Sequence, residues 1–152
     1  SAVGEVENIT RTVQPVLQPI AESAIIYINL SNDDFKLGGS SFAQVLNMLG
    51  TDCPDVRDAA YFAKAFNTVQ QLIRDEQIAA GHDVSEGGLI TTLLEMCFAQ
   101  PGVGMALNIN LPGKDLTTIL FSENPALVLQ VTHTDKVTAF LKDAAVQYVV
   151  LG

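Results

Sequence analysis

Hydrophobic positions along this chain follow two periods, and the places where one gives way to the other mark its elements. Ala24 to Leu30 is a β-branched and aromatic run, which predicts a buried strand ended by the polar turn Ser31-Asn32-Asp33-Asp34. After Leu37-Gly38-Gly39-Ser40 a helix is predicted with Phe42, Val45, Leu46 and Leu49 on one face. Ser41 and Gln44 form a capping-box pattern at its start, and Gly50 closes it. Asp58 then caps a longer helix whose apolar positions Phe62, Ala65, Phe66, Val69, Leu72 and Ile73 keep the three-and-four spacing of a core-facing stripe. Ile78 to Gly81 reads as a short strand leading into His82-Asp83-Val84-Ser85-Glu86-Gly87-Gly88. Leu89 to Ala99 reads as a helix apolar on nearly every side, stopped by Pro101-Gly102. From Met105 to Leu111 apolar and polar residues alternate, the period of a strand with one buried face. A short helix at Asp115 to Leu120, a strand at Ala126 to Val131, a helix around Val137 to Ala144 and a strand at Gln147 to Leu151 complete the order. Near the start, Pro15 and Pro19 favour extended chain, and Thr10 to Val13 is expected to pair as an edge strand. The expected class is α/β (α+β): an extended lead-in over 1–22, then a single domain over 23–152 in which helices pack on a mixed sheet.

Composition narrows the function classes. The chain has 152 residues, 48% hydrophobic and 16% charged, which suits one ordinary domain and excludes a disordered chain. Its longest apolar stretches are about one strand long, short of the ~20 residues that cross a bilayer, so no membrane partner is expected. No basic region precedes a hydrophobic core at the beginning, and no signal peptide is expected. Cys53 and Cys97 show no paired-ligand spacing, which points to a reducing, cytoplasmic location without disulfide or zinc. The net charge of −9, from 17 acidic and 8 basic residues, is spread along the chain. Such a surface repels phosphate backbones and argues against nucleic acid. A small phosphorylated ligand is still compatible, because backbone amides or a bound cation supply local positive potential.

Unusual chemistry concentrates at residues 82–88. Asp83 is a hard oxygen ligand of the kind Mg²⁺ takes beside phosphates, and Ser85 carries a hydroxyl able to donate to a phosphate oxygen. Gly87-Gly88 at a helix start would let an anion approach backbone amides, with the helix dipole in its favour. Read from this loop alone, a plain strand-to-helix connection with Ser85 as helix cap ranks ahead of a ligand site. A nucleophilic triad from His82, Asp83 and Ser85 reads poorly, since triads assemble from distant segments. No Walker A loop or G-x-G-x-x-G fingerprint occurs. Gly38-Gly39-Ser40-Ser41 taken alone reads as a turn and cap. Glu123 is able to ligate a cation, though a solvated loop carboxylate is its default reading, and Cys97 reads as core.

Taken in order, several strings resemble a known family. They are Leu37-Gly38-Gly39-Ser40, then Pro54-Asp55-Val56-Arg57-Asp58, then His82-Asp83-x-Ser85-Glu86-Gly87-Gly88-Leu89 with Leu94-Glu95-Met96, and finally Phe121-Ser122-Glu123 before Leu127-Val128-Leu129-Gln130-Val131. The chain resembles the last synthetase-type domain of the large, single-chain phosphoribosylformylglycinamidine synthases, from about Ser1 to Val131. The histidine-aspartate block with Leu-Gly-Gly-Ser belongs to the wider group that includes aminoimidazole ribonucleotide synthetase. The Leu-Glu-Met and Phe-Ser-Glu strings narrow it to the synthase.

The resemblance implies a fold like the C-terminal domain of aminoimidazole ribonucleotide synthetase. It also implies a part in the ATP- and glutamine-dependent conversion of formylglycinamide ribonucleotide to formylglycinamidine ribonucleotide in purine biosynthesis, in which ATP activates the amide oxygen as a phosphate and ammonia displaces it. ATP/ADP and Mg²⁺ are the cofactors it implies. By motif position Asp83 would hold Mg²⁺ and Ser85 would contact the nucleotide; Gly87 and Gly88 join them on the helix-start argument. The glutaminase and the first synthetase half have no counterpart here, so the partners expected are the remaining domains of the same enzyme. The chain reads as an excised domain, inactive alone and expected to form a homodimer or weak oligomer at high concentration. Two other readings stay open: a non-catalytic module holding an auxiliary nucleotide, and a domain of another ATP-dependent synthetase of the superfamily, such as the selenophosphate or thiamine-phosphate enzymes.

Overall fold

The strand β1 (Ala24–Asn29) is covered on both faces, which explains why it is apolar from Ala24 to Ile28. Ile26 and Ile28 point into one core with Leu129 and Val131, whereas Ile25 and Tyr27 point into a second with Val84 and Val128. The computed structural model describes residues 4–6, 8–109, 111 and 114–152. After β1 come α1 (Ser41–Val45), α2 (Ala59–Arg74), β2 (Ile78–Val84), α3 (Gly88–Phe98), α4 (Leu116–Phe121), β3 (Ala126–Val131), α5 (Thr134–Asp143) and β4 (Tyr148–Val150). Helices α2 and α5 supply the first core through Ala65, Val69, Leu72, Val137 and Leu141. Helices α3 and α4 supply the second through Leu89, Leu93, Met96 and Ile119.

The sheet order is β2-β3-β1-β4, and every neighbouring pair is antiparallel. The mixed sheet expected from the sequence is thereby corrected. Helical crossovers do make β1 parallel to β2 and β3 parallel to β4, as the alternation of helices and strands implies. In each case, however, another strand is inserted between the two: β3 between β1 and β2, and β1 between β3 and β4. The result is a split βαβ arrangement.

Three other expectations change. Thr10 to Val13 does not pair; the chain makes a 3₁₀ turn at Ile9–Arg11, where the Asn8 side chain accepts from the Thr10 amide at 3.0 Å. Helix α1 is capped by Ser40, not Ser41, and runs only five residues. Asn47 takes a left-handed conformation (φ +56°), and the Met48 and Asn47 amides bond the Ala43 and Gln44 carbonyls. That is a Schellman stop, and it leaves Val45, Leu46 and Leu49 exposed where a buried face was expected. Met105 to Leu111 forms no strand in the described residues, and Asn110 lies outside them. Val103, Met105, Leu107, Ile109 and Leu111 do pack on the second core. Among the described residues of this segment only Asn108, through its amide to the Leu151 carbonyl at 2.6 Å, bonds to the chain following β4. Asp58 caps α2 as expected, accepting from the Ala60 and Tyr61 amides.

Candidate functional site

Strand β2 continues through Val84, so His82 and Asp83 lie on an edge strand paired with Val128 and Leu127, not in a loop. Alternation along the strand turns Val84 into the core and leaves the Asp83 carboxylate 72% exposed. The half-buried His82 ring sits between two acids: Nδ1 is 3.4 Å from Asp83 Oδ1 and Nε2 is 3.4 Å from Glu95 Oε2 on α3. The Asp83 carbonyl accepts from the Thr92 hydroxyl of α3 at 3.2 Å, fixing the end of β2 to that helix.

Ser85 is exposed, and its hydroxyl does not cap α3. The N-cap is Gly87, at φ +87°, with no side-chain cap bond. The Gly87 amide donates to Glu123 Oε1 at 2.8 Å, and the Gly88 amide donates to the Ser85 carbonyl at 3.0 Å. Both glycines have packing reasons as well. A Cβ on Gly87 would run into the Thr91 side chain. One on Gly88, at φ +74°, would stand 2.7 Å from the Leu120 carbonyl oxygen, so only glycine lets α3 begin against the end of α4.

Glu123 is not a solvated loop acid. The same Oε1 that accepts from Gly87 accepts from the Ser41 amide at 2.8 Å. Its neighbours are anchored too. The fully buried Asn124 donates to the Ser31 hydroxyl at 3.1 Å and the Asp34 carbonyl at 3.0 Å, and it accepts from the Ser122 hydroxyl. Phe121 stacks on Phe42 with ring centroids 4.5 Å apart. The segment Phe121 to Asn124 therefore gathers the Gly38–Ser41 loop, the Ser31–Asp34 turn and the start of α3. Sequence reading missed this role for Glu123 because the signal for it is the spatial meeting of three separate strings.

Beside it lies a charged cluster that sequence reading left unassigned. Asp33, its side chain only 7% exposed, pairs with Lys36 Nζ at 2.9 Å and Arg57 Nε at 3.2 Å. The bond from Lys36 is the chief reason its carboxyl is held down at about 2, with Arg57 adding to the effect. Lys36 also reaches Asp52 at 3.3 Å. Gly38 packs against the backbone of Asp52, where a Cβ would meet the carbonyl at 2.5 Å. Among the described residues no three His, Cys, Asp or Glu side chains cluster to hold a metal. A single exposed carboxylate such as Asp83 still suits Mg²⁺, which commonly takes one or two carboxylates and completes its shell with phosphates and water. No helix among the described residues is long and apolar enough to cross a membrane.

The class of protein is marked by a two-core α/β domain in which the carboxylate of Phe121-Ser122-Glu123 bonds the histidine-aspartate block at Gly87 and Ser41, the residue after Leu37-Gly38-Gly39-Ser40. The chain belongs to the family described as AIR synthase related protein, C-terminal domain, whose model matches residues 21–152. It is 34% identical over 165 residues to a probable phosphoribosylformylglycinamidine synthase of Caenorhabditis elegans, and 37% identical over 155 residues to the phosphoribosylformylglycinamidine synthase of Homo sapiens. Each alignment covers 100% of this chain and 12% of the relative, so the chain spans about an eighth of their length. The structure of Thermotoga maritima PurL complexed with ATP shares the fold, with a TM-score of 0.66 at 11% identity, covering 94% of this chain and 23% of that one.

Proposed function

We propose that this chain is the last synthetase-type domain of a phosphoribosylformylglycinamidine synthase and that it contacts nucleotide. The enzyme would convert formylglycinamide ribonucleotide to formylglycinamidine ribonucleotide in purine biosynthesis, at the expense of ATP and with ammonia from glutamine. The observation that carries this reading is identity of 34% and 37%, over the whole chain, to relatives of that name. Separate strings that carry the resemblance also come together in space: Glu123 bonds Gly87 and Ser41, which directly follows Leu37–Ser40.

In this reading Asp83 supplies one oxygen ligand to Mg²⁺, which neutralises phosphate charge when bound. Ser85 donates its hydroxyl to the nucleotide, and Gly87 and Gly88, whose amides are taken by Glu123 and the Ser85 carbonyl, serve the site by shaping the turn rather than by donating to a phosphate. The remaining ligands and the reacting groups come from other domains of the longer enzyme, including its first synthetase half and glutaminase. The isolated domain is then inactive. Residues 1–22 act as a lead-in to a domain over 23–152, and the enzyme works in the reducing cytoplasm, where Cys53 and Cys97 stay free. The edge-strand exposure of Asp83 favours a site shared with another domain.

The test is calorimetric binding of Mg-ADP to the full-length protein and to its Asp83→Ala and Ser85→Ala variants. Loss of one neutral hydrogen bond, about 0.5–1.5 kcal/mol, should weaken binding by Ser85→Ala roughly 2- to 10-fold. Asp83→Ala should weaken it more and reduce its Mg²⁺ dependence. An Asp83→Ala variant that binds Mg-ADP as the parent does overturns the site assignment.

A further inference from the structure

We propose that Glu123 is the positioning residue that ties the Gly38–Ser41 loop to the Ser85–Gly88 turn, so that both respond to nucleotide as one unit. The inference rests on the nucleotide reading above and goes beyond it, because it gives a role to a residue that the reading leaves out of its nucleotide and metal contacts. One oxygen accepts from both Ser41 and Gly87, each at 2.8 Å, so the two amides stand no farther apart than twice that distance. Both bonds are charge-assisted and run from backbone, which makes them shorter and more directional than a side-chain contact. Each amide opens a helix, Ser41 at the first position of α1 and Gly87 at the cap of α3. A shift of the turn after β2 is therefore felt at the start of α1.

The surroundings leave little slack for the loops to move independently. Gly88 is wedged on the Leu120–Phe121 backbone, Phe121 stacks on Phe42, and Gly38 is wedged on Asp52. Glu123 is anchored between Ser122 and Asn124, both buried and hydrogen-bonded to each other and to the Ser31–Lys36 segment. The carboxylate thus joins two loops from a rigid base.

The test is hydrogen exchange of the full-length protein with and without Mg-ADP, read on segments 42–46 and 85–92. In the parent, nucleotide should slow exchange in both segments. Glu123→Ala should confine the slowing to 85–92 and weaken Mg-ADP binding about tenfold, and Glu123→Gln, which keeps an acceptor oxygen, should restore the paired response. Ser41→Pro cuts one arm of the bridge without unfolding the helix. Proline is favoured at the first helical position, and Ser40 already has the extended geometry (φ −62°, ψ 157°) that precedes proline well. This variant should lose the response at 42–46 and keep that at 85–92. If the parent shows slowing only at 85–92, or if Ser41→Pro keeps both responses, the coupling is wrong while the nucleotide reading stands. If the parent binds no Mg-ADP, the nucleotide reading itself fails and this inference falls with it.

Discussion

Gln130 forms a reciprocal amide pair with the backbone of Gln18: its Oε1 accepts from the Gln18 N–H at 2.8 Å and its Nε2 donates to the Gln18 carbonyl at 2.9 Å. A fully buried side chain on β3 thus takes the place of a ladder partner for a segment that contains Pro15 and Pro19. Gln130→Leu would leave both Gln18 groups unpaired, at a cost of about 1–3 kcal/mol. Thermal or urea unfolding should show that loss, and exchange at Gln18 should rise with it. An unchanged midpoint would mean that the lead-in is held without Gln130, by Leu17 packing and by the backbone bonds of Leu17 to Met96 and of Gly81 to Gln14.

Acid should expose the Asp33 cluster. Its carboxyl is held down at about 2, chiefly by Lys36, against ~3.9 in an unfolded chain. A depressed carboxylate contributes stability that is complete above the unfolded value and lost as pH falls through the folded one. The parent's urea midpoint should therefore drop between about pH 4 and 2. Asp33→Asn should be less stable at neutral pH and flatter over that range. Parallel pH profiles for the two proteins would remove Asp33 from the acid response.

Gly88 and Gly102 both have positive φ, yet only Gly88 is enclosed. Gly102→Ala, with open space around its Cβ, should cost the backbone term alone, about 1–2 kcal/mol. Gly88→Ala adds a collision with the Leu120 and Phe121 backbone and should cost about 3 kcal/mol or more. Equal losses in chemical denaturation would show that α3 does not depend on its contact with α4.

Ser85→Ala separates two readings of one residue. A helix cap would lose ~0.5–2 kcal/mol on substitution. Because the Ser85 hydroxyl does not cap α3, the ligand-free melting temperature should stay within the range of an ordinary surface change, about ±0.5 kcal/mol. A clear drop would restore the cap.

Val45, Leu46, Met48 and Leu49 are 86%, 51%, 72% and 58% exposed beside one another. Exposed apolar patches of several hundred Å² favour association, so the isolated chain is expected to form dimers or weak oligomers at high concentration. Sedimentation should show this for the parent and a shift toward monomer for Val45→Glu/Met48→Lys. A parent that stays monomeric at millimolar concentration would contradict it.

Local chemistry made the helices and inner strands legible. Asp58 before a stripe of apolar positions defined α2, and the doubly buried runs at Ala24 and Ala126 defined β1 and β3. Pairing was less legible, because nothing in a helical crossover says whether another strand will be inserted beside it. The alternation at Met105 to Leu111 correctly marked a face turned to the core, but alternation does not supply a ladder partner. Of the candidate site, the composition of residues 82–88 was visible at once. The bridge made by Glu123 was not, since its partners Ser41 and Gly87 are 82 and 36 residues away.

The interleaved strand order also sets when this chain can fold. Among the described residues β1 pairs only with β3 and β4, bringing Ala24 beside Val131 and Ile26 beside Val150, and β2 pairs only with β3. A chain emerging from the ribosome therefore has no completed sheet until Ala126 and the residues after it arrive. The two earlier strands, β1 and β2, have no partner strand until then. Such long-range pairing folds slowly and as a unit, and a product truncated before β3 should remain without a sheet and call on chaperones.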